Sequence, residues 1–158
     1  MKLKTLFAVA AVAVLAGCVG DTTGSNDIVI PPMTALPAGT DTVTATNGLK
    51  YAEITVGTGT VAEANDQVAV HYTGWLANGT GFDTSVGFQP LAFTLGQNLF
   101  LKGFEQGIIG MKVGGKRRVI IPPSLGYGAV EVRDERGRVV IPANSTLVFD
   151  ISLVAVAN

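Results

Sequence analysis

Gln67-Val68-Ala69-Val70-His71-Tyr72-Thr73-Gly74-Trp75-Leu76 is the stretch from which the fold can be read. Val68, Val70 and Tyr72 fall on one side of an alternating run, the pattern of a half-buried strand. Asn78-Gly79 follows, a pair suited to a tight hairpin turn.

Working outward, Leu49 to Val56 is strand-like and is broken by Gly57-Thr58-Gly59. Pro90 to Leu95 is a short strand ended by Gly96, and Lys116 to Ile121 is one stopped by Pro122-Pro123. Leu147, Phe149, Ile151 and Leu153 alternate with Val148, Asp150, Ser152 and Val154, so one face is fully apolar. Between Phe100 and Met111 the spacing changes to Phe100, Leu101, Phe104 and Ile108, a helical stripe about two turns long. Gly103, Gly107 and Gly110 make that helix weak by propensity, so packing must hold it. The expected class is α+β, a curved antiparallel β-sheet of about five strands wrapped around one short α-helix. This pattern yields a fold class and no function.

The N-terminus reads differently. Lys2 and Lys4 precede an apolar run from Leu6 to Ala16, closed by Leu15-Ala16-Gly17-Cys18. A basic start, a short apolar segment and small residues describe a secretory signal. The run is shorter than the roughly 20 residues that span a bilayer, so a permanent membrane helix is the weaker reading. Leu-Ala-Gly-Cys resembles the bacterial lipobox, and residues 1–18 are expected to be a lipoprotein signal with Cys18 acylated. An ordinary signal with a chance cysteine is the alternative. Cys18 is the only cysteine, which excludes an internal disulfide. Val19 stands where an Asp would retain a lipoprotein at the inner membrane, which points to the outer membrane facing the periplasm, given a Gram-negative host.

Residues 19–46 lack aromatics and carry Pro31-Pro32 and Pro37, so they are expected to be a flexible tether. Residues 47–158 suit a single domain. Removing Lys2 and Lys4 from 11 basic residues leaves nine against 12 acidic, a net charge of about −3 that gives nucleic-acid binding no support.

Function becomes legible in blocks. They run His71-Tyr72-Thr73-Gly74-Trp75, Gly81-Phe82-Asp83-Thr84-Ser85, Pro90-Leu91-Ala92-Phe93 and Leu101-Lys102-Gly103-Phe104-Glu105-Gln106-Gly107. Gly110 to Arg118, Gly126-Tyr127-Gly128 and Ile141 to Asp150 complete them. In this order they resemble an FKBP-type peptidyl-prolyl cis-trans isomerase from about residue 47 to the C-terminus.

The resemblance implies an enzyme that rotates Xaa-Pro bonds with no cofactor and no metal. Tyr72, Phe82, Asp83, Tyr127 and Ile141 take the catalytic positions. Leu91, Phe100, Leu101, Phe104 and Phe149 take the substrate-binding ones, with the Leu101 backbone N–H facing substrate carbonyls. Implied partners are proline-containing polypeptides and the macrolide immunosuppressants that occupy this family's pocket. A monomer is expected, since no N-terminal dimerisation helix is evident.

Each residue also has a plain structural reading. Tyr72, Phe82, Phe93 and Phe149 could be core residues by alternation alone, and Asp83 a turn residue. His71 is the only histidine and reads as structural. Lys116-Arg117-Arg118 reads as the solvated end of a strand. Two departures loosen the slot: Phe104 stands where well-studied members have tryptophan, and Leu91 where an aromatic is common. These favour the alternative of an FKBP-like chaperone or binding module with little turnover. The charged loop 129–140 is longer than in compact members, and is either a hairpin that screens substrates or a solvated insertion.

Overall fold

The structure is a computed structural model and describes residues 28–157. The expected signal segment 1–18, with Cys18, lies outside the described residues, as does the beginning of the expected tether. The elements are β1 (Thr42–Thr44), β2 (Lys50–Thr55), β3 (Gln67–Leu76), β4 (Gly81–Thr84), β5 (Leu91–Thr94), α1 (Lys102–Ile108), β6 (Lys116–Ile121), β7 (Val132–Arg133), β8 (Val139–Ile141) and β9 (Leu147–Ala157).

The main sheet runs β1-β2-β6-β9-β3-β4, and β5 pairs with the first half of β3. Every pairing is antiparallel, and β3 pairs with β9 along its whole length from Gln67 to Leu76. The apolar alternation points inward as expected. Val68, Val70 and Tyr72 of β3, Val119 and Ile121 of β6, and Phe149, Ile151 and Leu153 of β9 form one core with Phe104 and Ile108 of α1. Register shifts at Ala69/Val70 against β9, and at Gly74/Trp75 against β4, add local twist that helps the sheet bend over the helix.

The helix has the expected length of about two turns, from Lys102 to Ile108. Leu101 has ψ 136°, which leaves Phe100 and Leu101 in a non-helical lead-in, and Gly110 turns the chain out at φ +82°. Its weak composition has a packing reason. A Cβ on Gly103 would lie 2.5 Å from Ile121 Cγ2, and one on Gly107 would lie 2.7 Å from Val119 Cγ2. The glycines that lower helix propensity are what let α1 sit directly on β6.

Of the basic run only Lys116 is solvated, its side chain 44% exposed. Arg117 and Arg118 are 5% and 6% exposed. Arg117 Nη1 donates to the carbonyls of Gly107 (2.8 Å) and Ile109 (3.1 Å), satisfying the C-terminal end of α1, and its guanidinium also pairs with Glu53. Arg118 pairs bidentately with Asp150 at 2.6 and 2.9 Å on the opposite face of the sheet. Strand alternation sends the two guanidiniums to opposite sides, and each finds carboxylate or carbonyl acceptors there.

Over residues 28–46 the expected tether is laid against the domain. β1 extends the sheet beside β2, Trp75 Nε1 donates to the Pro31 carbonyl at 2.8 Å, and Arg118 Nη1 donates to the Thr34 carbonyl at 2.7 Å. The segment's own composition could not reveal this, because its partners are supplied by β2, β3 and β6.

Candidate functional site

The site is built on the pairing of β3 with β4. Ser85 fixes their relation: its Oγ accepts the Tyr72 backbone N–H at 2.8 Å, and its own N–H donates to the Tyr72 carbonyl at 2.9 Å. Thr73 and Thr84 hydroxyls bond at 2.9 Å beside them. Tyr72 is thereby held with its ring inward, and its hydroxyl donates to Asp83 Oδ2 at 2.8 Å.

Aromatic rings from β3, β4, β5, α1 and β9 pack into one lattice on the core. Phe149 meets Phe82 edge-on at 5.5 Å and Phe104 at 5.2 Å, while Tyr72 stands on Phe104 at 5.6 Å and 83°. Phe100 lies on Phe93 at 4.5 Å. Edge-to-face geometry at these separations is the favoured aromatic arrangement. Phe104 and Phe149 are wholly buried and form the floor, whereas Phe82, Leu91, Phe100 and Tyr127 are only partly buried around them. Ile141, on β8, is 3% exposed and packs on the same core. Nine of the ten residues read as catalytic or substrate-binding thus belong to or pack against one core, and Asp83 is joined to it through the Tyr72 hydroxyl.

The polar groups at the rim have displaced protonation. Burial pushes the Asp83 carboxyl up, against the lowering effect of the Tyr72 hydroxyl and the Thr84 backbone N–H. Burial, followed by the adjacent Asp83 charge, holds the Tyr72 phenol well above the ordinary tyrosine range. The Tyr127 phenol is pushed up to about 12, by burial first and by Asp83 second. Both phenols are therefore donors at any physiological pH. Among the described residues nothing bonds to the Tyr127 hydroxyl or accepts the Leu101 backbone N–H, whereas buried side-chain polar atoms are all paired. Two donors are thus left for a ligand. No cluster of three or more His, Cys, Asp or Glu capable of holding a metal occurs among the described residues.

Three positions were missed in the sequence. Gly74 leaves room for the floor, since a Cβ there would lie 2.7 Å from both Phe82 Cζ and Phe149 Cε1. Buried Glu105 accepts the backbone N–H groups of Gly96 (2.9 Å) and Phe100 (3.0 Å), which pins the lead-in carrying Phe100 and Leu101. Phe93 was read only as core, yet it carries Phe100. None of the three has a local signal, because each acts through residues distant along the chain. The charged loop does form a hairpin, β7–β8, braced by the Arg138–Asp134 pair at 2.7 Å and the Arg133–Glu131 pair at 2.6 Å.

An antiparallel sheet packed on one short helix, with clustered aromatic rings and a carboxylate–phenol pair beside them, is the arrangement that the motif order led us to expect. Sequence and structure comparisons specify it further. The family model described as FKBP-type peptidyl-prolyl cis-trans isomerase matches residues 58–154. An FK506-binding protein of Neisseria meningitidis serogroup B is 44% identical over 110 residues, covering 69% of this chain and 96% of that protein. FK506-binding protein 3 of Candida albicans is 42% identical over 114 residues, 72% of this chain but only 25% of that longer protein. Among solved structures, AtFKBP13 superposes with a TM-score of 0.68 at 36% identity, over 74% of this chain and 99% of its own. FkpA from Escherichia coli gives 0.62 at 38% identity, over 73% of this chain and 51% of its own. The chain belongs to the FKBP-type peptidyl-prolyl cis-trans isomerase family.

Proposed function

We propose that this chain is a working prolyl isomerase that accelerates proline-limited folding of exported polypeptides. The observation that carries the reading is the aromatic slot of Phe82, Phe104 and Phe149, rimmed by Asp83 and by the unengaged Tyr127 hydroxyl.

The chemistry needs no bond made or broken. Rotation about the Xaa-Pro amide crosses a barrier of about 18–20 kcal/mol. Left alone it takes tens to hundreds of seconds. Reaching milliseconds requires about five decades, or roughly 7 kcal/mol. The proline ring enters the slot over Phe104, with Phe82 and Ile141 flanking it. The twisted amide has lost its conjugation and is less polar than the planar form, so a dry apolar slot favours it. Tyr127 and the Leu101 N–H hold the neighbouring carbonyls, and Asp83, oriented by Tyr72, faces the amide undergoing rotation. Macrolides of the kind that occupy this family's pocket would compete for the same slot.

A second reading rests on Phe104 and Leu91, which make the slot wider than tryptophan and a second aromatic would. It is a chaperone or binding module with an intact pocket and little turnover. Cis/trans exchange of an Xaa-Leu-Pro-Phe peptide, followed by NMR with the purified chain, separates the two. We expect exchange accelerated by orders of magnitude and abolished by a pocket macrolide. Tight macrolide binding with negligible acceleration would install the second reading.

The export signal and lipobox support an envelope location, with Cys18 acylated and the domain facing the periplasm from the outer membrane. Among the described residues no helix is long and apolar enough to cross a membrane. Two or more acyl chains, at about 0.8 kcal/mol per buried CH₂, suffice for stable anchoring. Isomerisation consumes no nucleotide, which suits a compartment without ATP.

A further inference from the structure

The outer face of the sheet, opposite the slot, carries a second feature. His71, Thr73 and Trp75 alternate with the inward residues of β3, and Lys116, Asp150 and Ser152 join them from β6 and β9. Along this face runs Ile30-Pro31-Pro32-Met33-Thr34-Ala35-Leu36, which lies outside the family match.

Its contacts repeat every three residues. Ile30, Met33 and Leu36 are the half-buried positions of the run, and the residues between them are exposed. The two carbonyls that accept hydrogen bonds, Pro31 from the Trp75 indole and Thr34 from the Arg118 guanidinium, are also three apart. A three-residue period belongs to the polyproline II helix, which leaves its backbone carbonyls unpaired internally and open to a reader. Pro31 and Pro32 set φ for that conformation, and each disfavours helix in the residue before it. The sheet is shaped for the strap: a Cβ on Gly81 would lie 2.5 Å from Ile30 Cγ2, so only glycine leaves the notch that Ile30 fills. Trp75 is buried to 3% exposure with Arg118 stacked 5.9 Å above its ring, and the Asp150 pair holds that guanidinium in place.

An indole N–H donating to a proline carbonyl, beside an apolar notch and half-buried side chains at a three-residue period, suits recognition of a polyproline segment on an aromatic-bearing surface. Beside the strap a groove of about 260 Å³ remains open, lined by Pro31, Pro32, His71, Val86, Lys116 and Ser152 among others. We propose that this outer face is a second polypeptide-binding site, selective for an extended apolar-Pro-Pro segment of a partner protein, and that residues 30–36 occupy it in cis. The site reads backbone carbonyls and an apolar anchor, so a partner segment of the same chemistry can replace the strap. Binding there leaves the isomerase slot free, and a client could be held on one face while its prolines are rotated on the other.

Trp75 is the only tryptophan and reports directly on the site. In the full chain, Ile30→Asp with Met33→Asp removes two anchors of the strap. Trp75 emission should shift to the red, and its quenching by iodide should rise several-fold, while cis/trans exchange in the slot is unchanged. A synthetic peptide of residues 28–37 should restore the protected emission saturably. The same peptide with both Pro31 and Pro32 replaced by glycine should bind about tenfold more weakly, having lost its preorganisation. Should the double variant fold poorly, the unaltered chain serves: excess peptide should shift the Trp75 indole proton resonance in NMR spectra. An indole environment indifferent to both the substitutions and the peptide overturns the proposal. So does equal binding of the glycine peptide. Strap exchange confined to a dimer of this chain, dissolved by Trp75→Phe, would make a second copy the occupant and overturn the partner assignment.

Discussion

Tyr127 and Asp83 sit a short way apart on the rim, and their roles differ. The Tyr127 hydroxyl makes no hydrogen bond among the described residues, so removing it costs the folded protein little and the bound substrate one contact. A hydrogen bond of this kind contributes about 1–1.5 kcal/mol. Tyr127→Phe should therefore slow exchange by about tenfold with little change in thermal midpoint, measured by peptide exchange and calorimetry together. Tyr72→Phe is a less clean substitution, because that hydroxyl holds Asp83 at 2.8 Å. The sequence reading placed both tyrosines and Asp83 at the site through resemblance alone. Alternation assigned Tyr72 only to an inward face, and the hydrogen bond to Asp83 needs the β3–β4 register to exist.

At the scale of elements, α1 illustrates a conflict between local and tertiary preference. Replacing Gly107 with alanine would raise helix propensity by about 1 kcal/mol. The new methyl, however, would lie 2.7 Å from Val119 Cγ2 and 2.8 Å from Cγ1, and inserting atoms into a close-packed contact costs about 1–3 kcal/mol. Overpacking should win, because Val119 is fully buried and branched at Cβ, with nowhere to turn. Gly107→Ala should thus lower the urea midpoint at unchanged slope, and an increase would mean that α1 can slide on β6. The helix and its length of about two turns were recognisable from its apolar stripe; its end residues were not. Leu101 and Gly110 bound it through backbone angles that Glu105 and the turn after α1 impose.

For the whole molecule, the two rim phenols make stability depend on alkaline pH. An unfolded tyrosine releases its proton near 10.0, whereas folded Tyr127 holds its own up to about 12. Between these values the native state binds more protons than the unfolded one, so raising the pH favours unfolding. Tyr72 is displaced in the same direction and adds to the effect. Denaturant midpoints should therefore fall as pH rises from 10 towards 12, and Tyr127→Phe should flatten the decline; a flat wild-type profile would contradict the buried-phenol picture. For attachment to the envelope, Cys18→Ser should move the chain from membrane to soluble fractions on cell fractionation. Persistent membrane association would remove the lipid anchor from the proposal.

Much of this architecture was legible without coordinates. Strand periods in Gln67–Leu76 and Leu147–Leu153, the Asn78-Gly79 turn and the apolar stripe through Phe104 and Ile108 are local patterns. Local patterns survive folding because side-chain direction follows backbone period. The family, and with it the ten pocket positions, rested on motif order along one chain. What only the tertiary structure decided depends on groups far apart in sequence meeting across the sheet. Arg117 and Arg118 looked solvated until Gly107, Glu53 and Asp150 came round to meet them. Residues 28–46 looked like a tether for the same reason: the groups they meet are a tryptophan of β3, an arginine of β6 and the edge of β2.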